Sequence, residues 1–218
     1  MHKALSADIF VYLDTVQFSK GGVQNRNQLK TAQGPAWITL PVKHQFGQSI
    51  RETELVDARA PARHWKTVQA SYGRTPGFQR WADELRELLH QEYRTLDQAG
   101  IATTNWMLKK LGLQGEVRRA SEISGAHGQA SELIASICRA LKADTYLTGT
   151  GALAYMNPKD FADIGCRIAV QEWKPFSYEQ GKTEFLPDLS TLDLLLHCPD
   201  SAAALIEQAG SWEPLNSE

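Results

Sequence analysis

Asp14, Lys20 and Arg26 are the side chains best placed to do chemistry in this sequence. All three fall in one stretch, Ala7 to Lys30 (ADIFVYLDTVQFSKGGVQNRNQLK), where an apolar run feeds a turn crowded with polar groups. Such groups are costly to bury without partners, so their density directly after a strand marks a ligand site. Ile9, Phe10, Val11, Tyr12 and Leu13 read as a strand covered on both faces. Asp14 closes it, and Gln17, Ser19, Lys20, Gln24, Asn25, Arg26, Asn27 and Lys30 follow in one loop and its exit. Gly21-Gly22 lets the backbone turn sharply or approach a bound group. Arg26 offers a planar fork matched to carboxylate or phosphate, with the donors and acceptors of Asn25 and Asn27 beside it. In catalysis Asp14 would orient or accept a proton, while Lys20 and Arg26 hold charge developing on a leaving group. Two plainer readings compete: Asp14 caps a helix above a solvated loop, or Arg26 pairs with Asp14 and only fixes the loop.

Two further groups are candidates for substrate binding together with Gln17, Asn25 and Asn27. Gly149-Thr150-Gly151, between an apolar run and a helix expected to follow, can cradle phosphate oxygens through backbone N–H groups, and Tyr155 lies four residues beyond Gly151. A lone Gly-x-Gly is also an ordinary tight turn; it lacks the third glycine of a dinucleotide site and the Lys-Ser/Thr of a P-loop. In Leu189 to Leu196, Ser190 and Asp193 are three apart and adjacent on a helix face, where they contact ligand or where Ser190 simply caps the helix. The histidines, at 2, 44, 64, 90, 127 and 197, have no metal-ligand spacing, and no nucleophile elbow or Cys-His pattern occurs. The expected site therefore contains no metal and no covalent Ser or Cys nucleophile, and the sequence names no cofactor.

Four ordered blocks, DIFVYLDTVQFSKGGVQNRNQLK, WITLPVK from Trp37, ADTYLTGTGALAYM from Ala143 and LPDLSTLDLLLHC from Leu186, resemble the WbqC-like protein family over nearly the whole chain. The resemblance implies a part in O-antigen, lipopolysaccharide or other bacterial surface-polysaccharide biosynthesis: a transferase-like enzyme acting on an anionic activated substrate such as a sugar nucleotide. The alternative is a non-catalytic binding or assembly protein that keeps the family fold. Members of that family usually begin with a strand and a turn containing Gln-Pro, an aromatic, Pro-Trp and Gly, whereas this chain opens at MHKALSADIF. The corresponding expectation is an amino-terminally truncated chain whose missing first strand leaves an apolar edge beside Ile9 to Leu13 and a homodimer built on it.

Charge supports an anionic partner. Residues 1–80 hold 11 Lys and Arg against 5 Asp and Glu, an excess of +6, and the remainder 12 against 20, or −8. Arg26, Lys30, Lys43, Arg51, Arg59, Arg63, Lys66 and Arg74 either focus a nucleotide or phosphate or form a solvated basic surface. A nucleic acid is not expected, since there is no helix-turn-helix, zinc-finger spacing or sustained basic run. No apolar run approaches the roughly 18 residues of a membrane span, and the amino terminus is no signal peptide, so the expected location is cytoplasmic. Cys138, Cys166 and Cys198 form neither a disulfide frame nor a zinc site.

The elements that must position these residues follow from periodicity. Trp37 to Val42 reads as a second strand after a Gln33-Gly34-Pro35 turn, and Glu54 to Val56 as a third. Helices are expected from Pro61 through Tyr72, around Trp81, Leu85, Leu88 and Leu89, from Leu96 to Leu111 with Gly100 weakening the middle, and around Leu133 to Leu141. Val117, Thr145 to Thr148 and Arg167 to Trp173 are further strands; Leu189 to Leu196 and Ala202 to Ile206 close the chain as helices. Strands separated by helices give an α/β fold: a single domain over residues 1–218 with a mostly parallel, Rossmann-like sheet, helices on both faces and a helical insert from Pro61 to Leu111. In that layout the turns at Asp14 and Gly149 share one edge of the sheet with Arg26.

Overall fold

The computed structural model describes residues 1–182 and 184–215. A short helix α1 (His2–Leu5) leads into β1 (Ile9–Tyr12); β2 (Arg26–Thr31), β3 (Gly34–Thr39), β4 (Val42–Lys43) and β5 (Glu54–Leu55) follow. A 3-10 turn at Ala60–Arg63 opens the helical stretch α2 (His64–Tyr72), α3 (Pro76–His90) and α4 (Leu96–Lys110). Then come β6 (Glu116–Arg119), α5 (Ala130–Leu141), β7 (Thr145–Gly149), α6 (Pro158–Ala162), β8 (Arg167–Trp173), α7 (Thr191–His197), α8 (Ala202–Ala209) and β9 (Gly210–Pro214). Among the described residues no helix is long and apolar enough to cross a membrane.

The expected α/β character is present, but not as one mostly parallel sheet. The strands pair in four small sheets, β1–β6, β2–β3, β4–β5 and β7–β8–β9, of which β1–β6 and β7–β8 are the parallel pairings. The chain also divides into two compact units, residues 1–14, 114–176 and 205–218 in the first and 15–113 with 177–204 in the second.

In the first unit, α5 and α6 cover β7 and β8 with a core of Ala135, Cys138, Phe161, Cys166 and Ile168. Burial pushes the Cys138 thiol up to about 12, so it behaves as a small apolar side chain. The carboxyl ends of β1 and β6 are tied together by Asp14, which is buried and accepts from both the backbone N–H and the hydroxyl of Ser121. At the end of β7, the helix expected after Gly149-Thr150-Gly151 is instead a 3-10 segment, Thr150–Tyr155, and the Tyr155 side chain is exposed.

The second unit corrects the reading of the loop. Arg26 does not lie in it; it starts β2, which hairpins with β3 through Ala32 and Gln33, and Gly34-Pro35 belongs to the second strand rather than to the turn. Pro35 stands opposite Lys30, and the Lys30 N–H is directed away from the ladder to the Tyr72 hydroxyl at 2.9 Å, so the missing Pro35 N–H is not needed. The helices carry clear start signals. Thr75 caps α3 with Pro76 in its first turn, and Thr95 and Gln98 form a capping box on α4. Phe18, Leu55, Tyr93, Leu96 and Ala99 pack together beside them.

Helices α3 and α7 approach closely at Gly77. A Cβ there would stand 2.5 Å from the Leu195 carbonyl oxygen and 2.7 Å from the Leu196 Cα. Backbone atoms cannot swing aside as a flexible side chain can. Gly77→Ala is therefore expected to destabilise by about 1–3 kcal/mol, the range for overpacking; an unchanged urea midpoint would show that the two helices separate freely.

Candidate functional site

The candidate site is a cavity of about 230 Å³ in the second unit, bounded by the start of β2, the end of β3, α2, α3, α4 and the start of α7. Its walls are mostly apolar, with Leu85, Leu88 and Leu89 from α3 and Leu96, Trp106 and Met107 from α4. Among the described residues its lining holds one guanidinium, Arg26, and one imidazole, His64, and no carboxylate.

Arg26 is fixed before any ligand arrives. Its Nε donates to the Gly22 carbonyl at 3.1 Å and its Nη2 to the Gly21 carbonyl at 2.6 Å, while its guanidinium carbon lies 4.5 Å from the centre of the Trp37 ring. The hairpin register explains the stacking: Arg26 is opposite Thr39, so Trp37, two residues away, is its diagonal neighbour on the same face. The Gly21-Gly22 turn thus serves the guanidinium; Gly21 has φ +85°, where a side chain would be strained. No carboxylate pairs with Arg26 among the described residues, so the reading in which Asp14 neutralises it does not describe this site. The Nε edge of the fork is occupied, and Nη1 makes no hydrogen bond among the described residues.

The rest of the mouth is equally tied down. Asn25 pairs twice with Leu40, its carbonyl accepting from the Leu40 N–H and its Nδ2 donating to the Leu40 carbonyl at 3.0 Å. Asn27 Oδ1 accepts from the Gln28 N–H, and Gln24 Oε1 from the Ser19 N–H at 2.7 Å. Ser190 lines the cavity and also caps α7, accepting from the Leu192 N–H. The capping reading of that serine is therefore seen directly, in a residue that also faces the cavity.

His64 was not singled out from the sequence. Its Nε2 lies 3.1 Å from the Thr39 carbonyl, and since a carbonyl only accepts, that nitrogen carries the proton and Nδ1 has the lone pair. Burial lowers its pKa below 6.5, outweighing the Thr39 hydrogen bond, so it is neutral near pH 7.

Of the side chains proposed from sequence, Asn25, Arg26, Asn27 and Ser190 meet in this cavity. Gln17 and Lys20 belong to the same unit but are exposed and do not line it. Asp14, Gly149, Gly151 and Tyr155 belong to the other unit. Asp193 does not line the cavity; it is fully buried, in a polar network. Tyr72 donates to its Oδ1 and Tyr178 to its Oδ2, both at 2.8 Å; Gln180 Nε2 donates to Oδ2 at 3.2 Å, and His197 Nδ1 stands 3.5 Å from it. Burial pushes the Asp193 pKa up, but the hydrogen bonds from His197, Tyr178 and Tyr72 outweigh it and the pKa is lowered. Lys30, expected among the ligand-facing cations, instead donates to Gln180 Oε1 and the Glu184 carbonyl in the same network. Among the described residues no cluster of His, Cys, Asp or Glu is arranged to hold a metal ion.

Tyr72→Phe would leave Asp193 Oδ1 and the Lys30 N–H without their shared partner. A loss of about 1–3 kcal/mol is expected, as for a buried group left unsatisfied; an unchanged melting temperature would mean that water replaces the hydroxyl. The pH dependence of stability has a definite sign at His64. Its folded pKa lies below 6.5, so as pH falls through 6.5 the unfolded chain takes up the proton first and folding weakens. The parent should lose stability against His64→Gln between pH 7 and 5.5, measured by urea titration; a constant difference would contradict it.

Comparison with known proteins places the chain in a family. Residues 1–204 match the WbqC-like protein family. An uncharacterised protein of Mycobacterium tuberculosis, Rv1507c, is 31% identical over 195 residues, which cover 87% of this chain and 84% of that protein. No solved structure matches. A family match over this span, with a relative of that identity along both chains, establishes that the chain belongs to the WbqC-like protein family.

Proposed function

We propose that the chain is a transferase-like enzyme of surface-polysaccharide biosynthesis that holds an anionic activated substrate in the cavity of its second unit. The observation that carries the reading is the lining itself, one fixed guanidinium facing no carboxylate. An anion at the mouth therefore meets attraction without a competing negative charge, and Arg26 keeps an edge for it. Lys20, exposed next to Gly21, supplies a second cation near the turn. The polysaccharide context comes from the family resemblance.

His64 supplies the proton chemistry. A hydroxyl of the acceptor attacks the activated group, its proton passes to Nδ1 of neutral His64, and the leaving group departs with the bonding electron pair toward Arg26. Asp14, expected from sequence to orient or accept a proton, holds Ser121 with both oxygens. Its proposed role is to order the ends of β1 and β6.

The second reading is a binding protein without turnover. It is favoured by one observation: the polar side chains at the mouth already have partners within the protein.

Melting curves with sugar nucleotides, nucleoside monophosphates and inorganic phosphate, followed by product analysis with the stabilising compound, test the proposal. Arg26→Gln should weaken binding by about 1.5–3 kcal/mol, roughly ten- to a hundredfold. His64→Gln should keep binding and reduce turnover by about 10²–10⁴-fold. Binding with no turnover in the parent would support the binding protein instead, and no stabilisation by any anion would overturn the site. Arg26→Lys, which keeps the charge, should also lower the melting temperature because an ammonium cannot hold both carbonyls and lie flat on Trp37.

A further inference from the structure

A glycine stands in the middle of the longest apolar wall of the cavity. On α4, Leu96, Gly100, Thr103, Thr104 and Met107 all line the space, at positions i−4, i, i+3, i+4 and i+7 about Gly100. That spacing is one helical stripe, and Gly100 is its centre. A Cβ placed on Gly100 meets no atom within 4 Å, so the space in front of it is open. Glycine in a helix interior is unfavourable relative to alanine, and here no close approach of another backbone requires it. What the missing side chain provides is room.

The room is apolar. Thr103 turns its hydroxyl back onto the Ala99 and Gly100 carbonyls, at 2.8 and 3.1 Å, leaving its methyl group as the part free to meet a ligand. The wall's other polar atoms are the Thr104 hydroxyl and the Trp106 indole N–H, which is buried near Glu84 without reaching hydrogen-bond geometry. The cation comes from another element, at the start of β2. A sugar ring would bury its hydroxyls against hydrocarbon in this space, at a cost for each one left unpaired. At 230 Å³ the space is also below the roughly 300–1,000 Å³ of sites that enclose a drug-sized molecule.

We propose that the cavity receives the hydrocarbon part of an amphipathic anion, an aliphatic chain joined to a phosphate or carboxylate head, and that Gly100 is the residue that sets the length of chain admitted. This rests on the proposed site and names its substrate class: the head is held at Arg26 and the chain runs along the Gly100 stripe. The volume corresponds to roughly eight water-sized groups, so a chain of about that many carbons fills it.

The test uses the whole chain, with the fluorescence of Trp106 and melting curves as readouts, and a series of alkyl phosphates from butyl to octyl kept below micellar concentrations. Inorganic phosphate, octanol and UDP-glucose are the comparators. Affinity is expected to rise about three- to fourfold per methylene until the cavity is full, and octyl phosphate to bind at least tenfold more tightly than inorganic phosphate or octanol. Gly100→Leu should abolish the chain-length dependence while melting at or above the parent's temperature. Gly100→Ala, which adds one carbon into open space, should shorten the optimum chain and serves if the leucine variant does not fold. Octyl phosphate binding that neither variant alters would overturn the inference. UDP-glucose binding lost on Arg26→Gln, with no alkyl phosphate bound, would overturn this inference and leave the proposed function standing. No binding of any compound would overturn both.

Discussion

The second unit is organised around one carboxylate that water does not reach. Asp193 is completely buried, and an isolated charge in such a place would be expelled by its desolvation cost. It is tolerated because hydroxyls, an amide and an imidazole converge on it from several segments. Tyr72 brings the end of α2, Tyr178 and Gln180 bring the segment before α7, and His197 comes from α7 itself. Tyr72 also takes the Lys30 N–H, so the same hydroxyl that answers the charge fixes β2. Burial pulls the His197 pKa down, but hydrogen bonding to Asp193 raises it overall, so the carboxylate and the imidazole each favour the charged form of the other.

That network explains why the cavity has a defined shape. Its mouth is the first residue of β2 and the cap of α7, two chain segments with no covalent reason to be close. Ser190 donates its N–H to the Gln28 carbonyl at 2.9 Å, joining the two directly. Lys30 and Asp193 then hold them from the buried side. The walls need no such device, because the apolar stripes of α3 and α4 find their place by burial alone.

What could be read from the sequence follows the same division. The strand Arg167–Trp173 has the bounds its alternation suggests, and the helices around Trp81 and Leu133 lie where their stripes put them, because burial of a periodic pattern is a local signal. The β2 strand was hidden because RNQLKT has no apolar alternation; it is a strand through its ladder with β3, and Tyr72, Gln180 and Glu184, 42 to 154 positions away, hold Lys30 within it. Asn25, Arg26, Asn27 and Ser190 stood out by their chemistry, and the fold brings them to one cavity. His64 was not, since its partner is a backbone carbonyl that no side-chain pattern announces. Gly100 carried a usable signal, an interior glycine on an apolar stripe, that looked like a flaw in a helix.

The clasp on Arg26 has a consequence for how binding energy divides between enthalpy and entropy. A free arginine loses up to about 2 kcal/mol of rotamer freedom when it is immobilised. Here Gly21, Gly22 and Trp37 have already frozen it in the unliganded fold. That ordering is completed during folding and is not repeated when a ligand arrives. Under the proposed function, a ligand at this edge would meet a receptor with little left to lose in disorder, and even a small anion with few contacts would gain from it.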